Sequence, residues 1–394
     1  MDLMIMPSKL KGKINIPDSV PMSHRLMVMV ALQGDSIIKM TNITKELETT
    51  EKALQSLANY SQVIDVGNSR DTFSFLLPLS LITRGGGLFR GNQYMINSLI
   101  NPIKPLLLKH GALIFPASSS ETLRIGGSLS PGNYTFSSDV YPVIPSGFAM
   151  ALSILNQDSD VILEKDAVSK NSYAIKENMN LTLSVMREFN TKIIVLENRY
   201  HIFGNQNFKA PAPVLSPEKD WNIGSIWYTS AILGQNVKCP NITRNSSQRG
   251  HLLVDMVQKL GLQKEGGILK IDAMQLGDTL PFAMVIASTT RNTSTVFYNM
   301  DEAHDIGNES KNMILSLGGS IKETDEGIKI LGKSYLQGGV IKPNGYANVA
   351  MAAAIAATVS GNPVTIENAE VVQDIYPQFF RDYKRLGGSI FPVQ

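Results

Sequence analysis

The residues of this chain that could do chemistry are concentrated in short polar strings that precede apolar runs. The first is Pro17-Asp18-Ser19, which follows a strand-like run, Ile14–Ile16. Ser23-His24-Arg25 then opens an apolar helical run, Leu26–Leu32, which Gly34 ends. A strand feeding a polar turn at a helix start brings together backbone N–H groups and the positive end of a helix dipole, an arrangement that can hold an anion. The second string, Gly67-Asn68-Ser69-Arg70-Asp71-Thr72, reads as a polar turn before a helix. A third, Leu276-Gly277-Asp278-Thr279-Leu280-Pro281, places a single carboxylate at a helix start, an ordinary N-cap setting.

Other chemistries have little to draw on. The five histidines, His24, His110, His201, His251 and His304, form no HxH or HExxH pair, so local spacing gives no metal site. Cys239 is alone, which excludes a disulfide framework and a cysteine zinc site. A net charge of +2, spread without basic blocks, favours neither nucleic acid nor a membrane surface. The longest apolar run, Val349–Val359, is far short of a membrane span. The opening MDLMIMPSKLKGKINIP turns polar too early for a signal peptide, so the expectation is a soluble, cytoplasmic protein.

The elements that must position these strings repeat. An amphipathic helix ending in Gly or Asn, followed by a β-rich stretch, recurs at Gly111, Asn190, Gly261, Gly318 and Gly387, with a weaker copy over 54–67. Gly or Asn supplies the left-handed cap that stops each helix, and alternating strings such as Ile328-Lys329-Ile330 read as half-exposed strands. A spacing of about 50–80 residues is too wide for a solenoid. With 394 residues, 43% of them hydrophobic, the pattern predicts two domains of three helix-then-hairpin units each.

The stretch from Ile14 to Ser36 resembles the first signature of the enolpyruvyl transferases, specifically the 5-enolpyruvylshikimate-3-phosphate (EPSP) synthase family. That family writes it as strand, Pro-Gly-(Ser/Asp)-Lys-Ser-x-Ser-(Asn/His)-Arg, helix. The resemblance covers the whole chain. It implies a two-domain, inside-out α/β barrel of βαβαββ units, a lower domain of residues 1–19 plus 220–394 and an upper domain of 20–219. Hinges would fall near 19–20 and 219–220, with the Pro-rich stretch Lys209–Pro217 at the return crossover. A small-molecule ligand would bind in an inter-domain cleft, without metal or cofactor, in a monomer.

By the same resemblance, Ser19, Arg25, Asn68 and Tyr173 keep substrate-binding positions, and Asp278 keeps the general base that acts on the acceptor hydroxyl. The other signatures have changed. The catalytic lysine position is Val20, and the following serine is Pro21. In Gly67–Pro78 the second glycine has become Arg70 and the motif arginine Ser74. The donor-binding arginine falls on Ser98, ahead of a helix expected over Ile100–His110, with Arg90 upstream as a substitute. The Ser-Ser-Gln triplet, between a strand Asn133–Phe136 and a helix Ser146–Leu155, reads Tyr141-Pro142-Val143. The Lys-Glu-(Ser/Thr)-Asp-Arg signature falls on Glu302, Ala303 and Ile306, the Asp-His-Arg signature on Tyr346-Ala347-Asn348, and the final lysine on Asp374.

The family joins two anions, 3-phosphoshikimate and phosphoenolpyruvate, so fixed cations must do the stabilising. At Val20, Ser74, Ser98, Glu302, Ile306, Asn348 and Asp374 this chain is neutral or acidic. Three readings follow. The chain has lost or changed the family activity; it transfers to a different, less anionic substrate, with Asp278 and His24 or His304 as acid and base; or it is a working EPSP synthase of the shikimate pathway.

Overall fold

The computed structural model describes residues 1–115, 122–164, 170–243, 245–262, 267–300, 303–333 and 335–393. They form two compact units, Asp18–Glu218, and Met1–Pro17 with Lys219–Gln394. Among the described residues, no helix is long and apolar enough to cross a membrane.

One strand plan is used four times. In the unit Asp18–Glu218, Val63–Gly67 pairs in parallel with Gly86–Gly91. Gly86–Gly91 pairs antiparallel with Thr122–Gly127, which closes a hairpin with Ala112–Phe115. Asn133–Phe136, Ser159–Leu163, Arg199–Ile202 and Ile193–Leu196 repeat this order. In the other unit Ile268–Asp272, Ser294–Tyr298, Gly327–Leu331 and Ser320–Thr324 do the same. The fourth copy, Gly339–Ile341, Val364–Ile366, Leu3–Met6 and Ser389–Pro392, takes its hairpin partner from the N-terminus. The parallel pair needs a helical crossover and the antiparallel pair only a turn, so the first three copies read βαβαββ, and the fourth completes the same plan with the N-terminal strand.

The third unit on each side is a two-stranded parallel ladder with exchanged strands. Lys11–Lys13 precedes helix α1 (Val20–Gln33) in the chain but pairs with Asn236–Lys238, which follows helix Trp221–Ile232. Val214–Leu215 precedes Trp221–Ile232 but pairs with Ile37–Ile38, which follows α1. The two links between units lie at Pro17–Asp18 and Glu218–Lys219.

Helices fill the centre of each unit and the sheets lie outside. Helix α3 (Arg70–Thr83) and helix Ile144–Leu152 are buried on all sides over most of their length, as are Leu280–Thr289 and Ala347–Ala356. Such helices read as uniformly apolar strings, whereas helix α2 (Lys45–Ala58) buries one stripe. Strands alternate buried and exposed residues, as in Asn133–Phe136. Gly147 lets α3 and Ile144–Leu152 approach closely, since a Cβ there would come within 2.0 Å of the Ser74 carbonyl oxygen.

Several expected elements shift. Ile14–Ile16 is not a strand; the ladder stops at Lys13 because the side-chain amide of Asn241 replaces a partner strand. It accepts from the Ile16 N–H at 3.0 Å and donates to the Ile16 carbonyl at 2.8 Å. Helix α1 starts at Val20 rather than at Ser23-His24-Arg25, because Pro21 suits the first turn and Ser23 bonds back to the Ser19 carbonyl. The helix expected over Ile100–His110 begins at Gln93, capped by Asn92, and is interrupted over Asn101–Ile103 where Pro102 and Pro105 supply no N–H. The helix expected from Ser146 is Ile144–Leu152.

Gly111, Asn190, Gly318 and Gly387 take the left-handed conformation, at φ of 96°, 61°, 75° and 104°. Gly261 instead stays within the helix Leu252–Gly261. Only the copies ending at Gly111, Asn190 and Gly318 lead into hairpins of adjacent strands. The weak copy over 54–67 feeds a parallel strand, as does the copy after Gly261, whose residues 263–266 lie outside those described.

Candidate functional site

The polar strings Ser19–Arg25 and Asn68–Thr72 meet in the unit Asp18–Glu218, where α1, α2 and α3 begin. His24 lies one turn into α1 and is fully buried, close to Phe75. Glu46 and Asp71 stand in the first turns of α2 and α3, where a carboxylate complements the helix dipole. One ligand-type atom from each of the three lies within 4.8 Å of the others, the only such group among the described residues. His24 Nε2 is 3.9 Å from Glu46 Oε1. Local spacing gave no metal site; folding assembles this cluster from residues far apart in the chain.

A chain of hydroxyls supports it. Ser69 Oγ contacts Glu46 Oε1 at 2.8 Å, and Thr72 Oγ1 contacts Ser69 Oγ at 2.7 Å. Thr50 Oγ1 contacts Thr72 Oγ1 at 2.6 Å and His24 Nδ1 at 2.8 Å. The Tyr141 hydroxyl donates to Asp71 Oδ1 at 2.8 Å, and the Arg70 guanidinium carbon lies 5.5 Å from the Tyr141 ring centroid. Burial, and secondarily the negative charge of Asp71, push the Tyr141 phenol well above its usual range. Burial also lowers the pKa of His24, against the opposing pull of Asp71 and Glu46.

Arg25, which the resemblance implies is a substrate-binding position, is bonded internally. It is fully buried, with Nε bonded to Thr182 Oγ1 at 2.8 Å, Nη1 to the Pro21 carbonyl at 2.7 Å and Nη2 to Asn178 Oδ1 at 2.7 Å. Burial pulls its pKa down to about 10, so it stays charged at neutral pH. Ser19 is buried, donates its N–H to the Glu218 carbonyl and makes no side-chain cap. Asn68 is exposed, and Tyr173 is half-buried on helix Lys170–Glu188.

The positions that the resemblance reads as changed differ in burial. Val20 packs against the core of its unit. Ser74 is buried and donates to the Arg70 carbonyl at 2.8 Å. Ser98 is exposed and donates to the Met95 carbonyl at 2.7 Å. Arg90, expected above as a substitute cation, is exposed and paired with Asp65 at 2.6 Å on the neighbouring strand.

In the unit containing Lys219–Gln394, Asp278 lies exposed in the turn Gly277–Thr279 and makes no N-cap; Thr279 holds that position. The Arg249 guanidinium lies against this turn, so close that a Cβ on Gly277 would meet its Nη1 at 2.0 Å. Ala303 and Ile306 are buried, Asn348 is buried in the first turn of Ala347–Ala356, and Asp374 is exposed. Glu302 lies outside the described residues, and of His304 only its place at the start of helix His304–Ser316 is described. Burial raises the Cys239 thiol to about 11, which leaves it a poor nucleophile.

Glu46, Thr50 and Arg249 escaped sequence reading, and Asp71 and Thr72 were read only as part of a polar turn before a helix. Their one local signal is capping: Thr44 and Ser69 accept from the N–H groups of Leu47 and Thr72, which marks two helix starts and nothing about their proximity.

The profile of the EPSP synthase (3-phosphoshikimate 1-carboxyvinyltransferase) family matches residues 5–383. A 3-phosphoshikimate 1-carboxyvinyltransferase from Clostridium novyi (strain NT) is 25% identical, with 99% of this chain and 98% of the relative covered. One from Clostridium botulinum (strain Eklund 17B / Type B) is 28% identical, covering 98% and 97%. Among solved structures, EPSP synthase from Acinetobacter baumannii superposes at a TM-score of 0.75 with 16% identity over the full length of both chains. An enolpyruvyl transferase from Streptomyces tendae superposes at 0.59 with 13% identity, covering 99% and 98%. These two likenesses concern the fold.

Proposed function

This chain belongs to the EPSP synthase family, and from that premise we propose that it has lost or changed the transfer of enolpyruvyl from phosphoenolpyruvate to 3-phosphoshikimate. The observation that carries this reading is the fate of the cation positions. Val20 packs against the core, Ser74, Ile306 and Asn348 are buried, Ser98 is bonded to its own helix, and Asp374 is an exposed acid.

Both substrates are anions, and the addition and elimination steps move charge that fixed donors must meet. A hydrogen bond to a charged group is worth about 1.5–3 kcal/mol, so a site without several of them forfeits most of its affinity. Arg25 does not compensate, because its guanidinium is already bonded at Nε, Nη1 and Nη2. Tyr141 adds to the case, since it stands in the phosphate-gripping triplet and points its hydroxyl at Asp71.

The test is calorimetric titration with 3-phosphoshikimate, with and without phosphoenolpyruvate, alongside an assay of phosphate release. The reading expects no saturable heat and no phosphate. Micromolar binding with turnover would overturn it.

A further inference from the structure

We propose that His24, Glu46 and Asp71 bind a divalent transition-metal ion of the zinc type. The proposal does not depend on whether enolpyruvyl transfer is retained.

Proton accounting along the hydroxyl chain fixes the histidine tautomer. The Glu46 carboxylate can only accept, so Ser69 donates to it. With its one proton spent, Ser69 accepts from Thr72, and Thr72 in turn accepts from Thr50. Thr50 has then no proton left for His24, so His24 Nδ1 must be the donor in their 2.8 Å contact. The lone pair of the neutral ring is therefore on Nε2.

Nε2 makes no hydrogen bond, although His24 is fully buried. It faces Glu46 Oε1 at 3.9 Å, with an Asp71 oxygen inside the same 4.8 Å group. Helix-dipole complementarity accounts for the two carboxylates in their first turns, but not for a buried lone pair turned toward them. Three electron-rich atoms converging this closely repel one another unless a cation lies between them.

One imidazole nitrogen and two carboxylate oxygens suit zinc and its neighbours better than calcium or magnesium, which prefer oxygen alone. Each ligand also has the outer support that metal sites use: Thr50 on His24, Ser69 on Glu46 and Tyr141 on Asp71. Bonds of about 2.0–2.2 Å require the cluster to contract. The Glu46 side chain, 42% exposed, can swing to do so. Three protein ligands leave a coordination position open to water or an anionic ligand.

The experiment titrates chelator-treated full-length protein with Zn²⁺ by calorimetry and with Co²⁺ by visible absorption. The expected result is one saturable equivalent and a Co²⁺ spectrum of mixed nitrogen and oxygen ligation. His24→Ala should abolish binding; Glu46→Gln and Asp71→Asn, at half-buried positions that disturb folding less, should each weaken it at least about 10-fold. Thr50→Val, which would touch no metal, should weaken it about 10-fold through the ring it orients. His201→Asn is the control, since both nitrogens of His201 already face Asp160 and Asp158, at 3.0 and 3.4 Å. Absence of saturable binding, affinity unchanged by Glu46→Gln and Asp71→Asn, or binding removed by His201→Asn would each overturn the proposal.

Discussion

Helices α1 and Trp221–Ile232 occupy corresponding places in the two units, each just after a link between them and each ahead of a strand of the two-stranded ladder. They are stabilised in opposite ways. Trp221–Ile232 is capped by Asp220, which accepts from the N–H groups of Asn222 and Ile223, and carries no charged residue along its length. It packs through Trp227, whose ring lies 5.7 Å from that of Phe379 and 6.4 Å from that of Tyr376. Helix α1 has no side-chain cap and buries His24 and Arg25 among side chains from three other helices. The same backbone plan thus tolerates either an apolar or a polar solution. The polar one leaves His24 Nε2 buried without a hydrogen bond, and the apolar one leaves Trp221 Nε1 in the same position.

The comparison breaks or sharpens through variants confined to one unit, read by chemical denaturation together with hydrogen exchange resolved along the chain. Trp227→Ala should cost the most, about 3–5 kcal/mol, by leaving a cavity among Phe379 and Tyr376. Faster exchange should stay within residues 1–17 and 219–393; an equal rise over 18–218 would show that the units do not respond separately. Arg25→Leu should cost about 2–4 kcal/mol, by stranding Thr182, Asn178 and the Pro21 carbonyl. Arg25→Lys should recover little, since an ammonium cannot reproduce the fork of contacts. Full recovery would mean that charge, and not hydrogen-bond geometry, holds α1.

Thr50→Val removes the link between Thr72 and His24 and should cost about 1–3 kcal/mol, with Thr50→Ser restoring most of it. On the apolar side, Asp220→Ala should cost about 1 kcal/mol, while Asp220→Asn, which caps equally well, should cost almost nothing. A large loss with Asn would show that the charge of Asp220 matters more than its cap.

The smallest effect is acid sensitivity of the polar unit. His110 is buried against Tyr134, with ring centroids 3.9 Å apart, and burial holds it below its usual 6.5. Protons therefore bind the unfolded chain more readily, so the stability His110 contributes is intact above 6.5 and falls as the pH drops through its folded value. The loss should be under about 1 kcal/mol, confined to residues 18–218 and absent in His110→Phe. A melting curve as flat in acid for the native protein as for that variant would contradict it.

Much of the architecture was legible because it is written locally. A left-handed stop at Gly111, Asn190, Gly318 or Gly387 follows from which residues tolerate positive φ. The strand Asn133–Phe136 follows from side-chain alternation. Boundaries were less legible where a distant group intervened. Ile14–Ile16 has the composition of a strand, yet Asn241, more than two hundred residues away, takes the backbone bonds of Ile16.

For the candidate site the division is sharper. Sequence alone determined that His24 and Arg25 lie near the start of a helix and that Val20, Ser74, Ser98, Ile306, Asn348 and Asp374 are neutral or acidic. Side-chain type at a fixed backbone position needs no folding to be read. Only the tertiary structure decided that Arg25 spends its donors on Asn178, Thr182 and Pro21, and that His24 meets Glu46 and Asp71. Those partners of His24 lie on other helices, and their proximity depends on how three helix starts pack together, which no local pattern encodes.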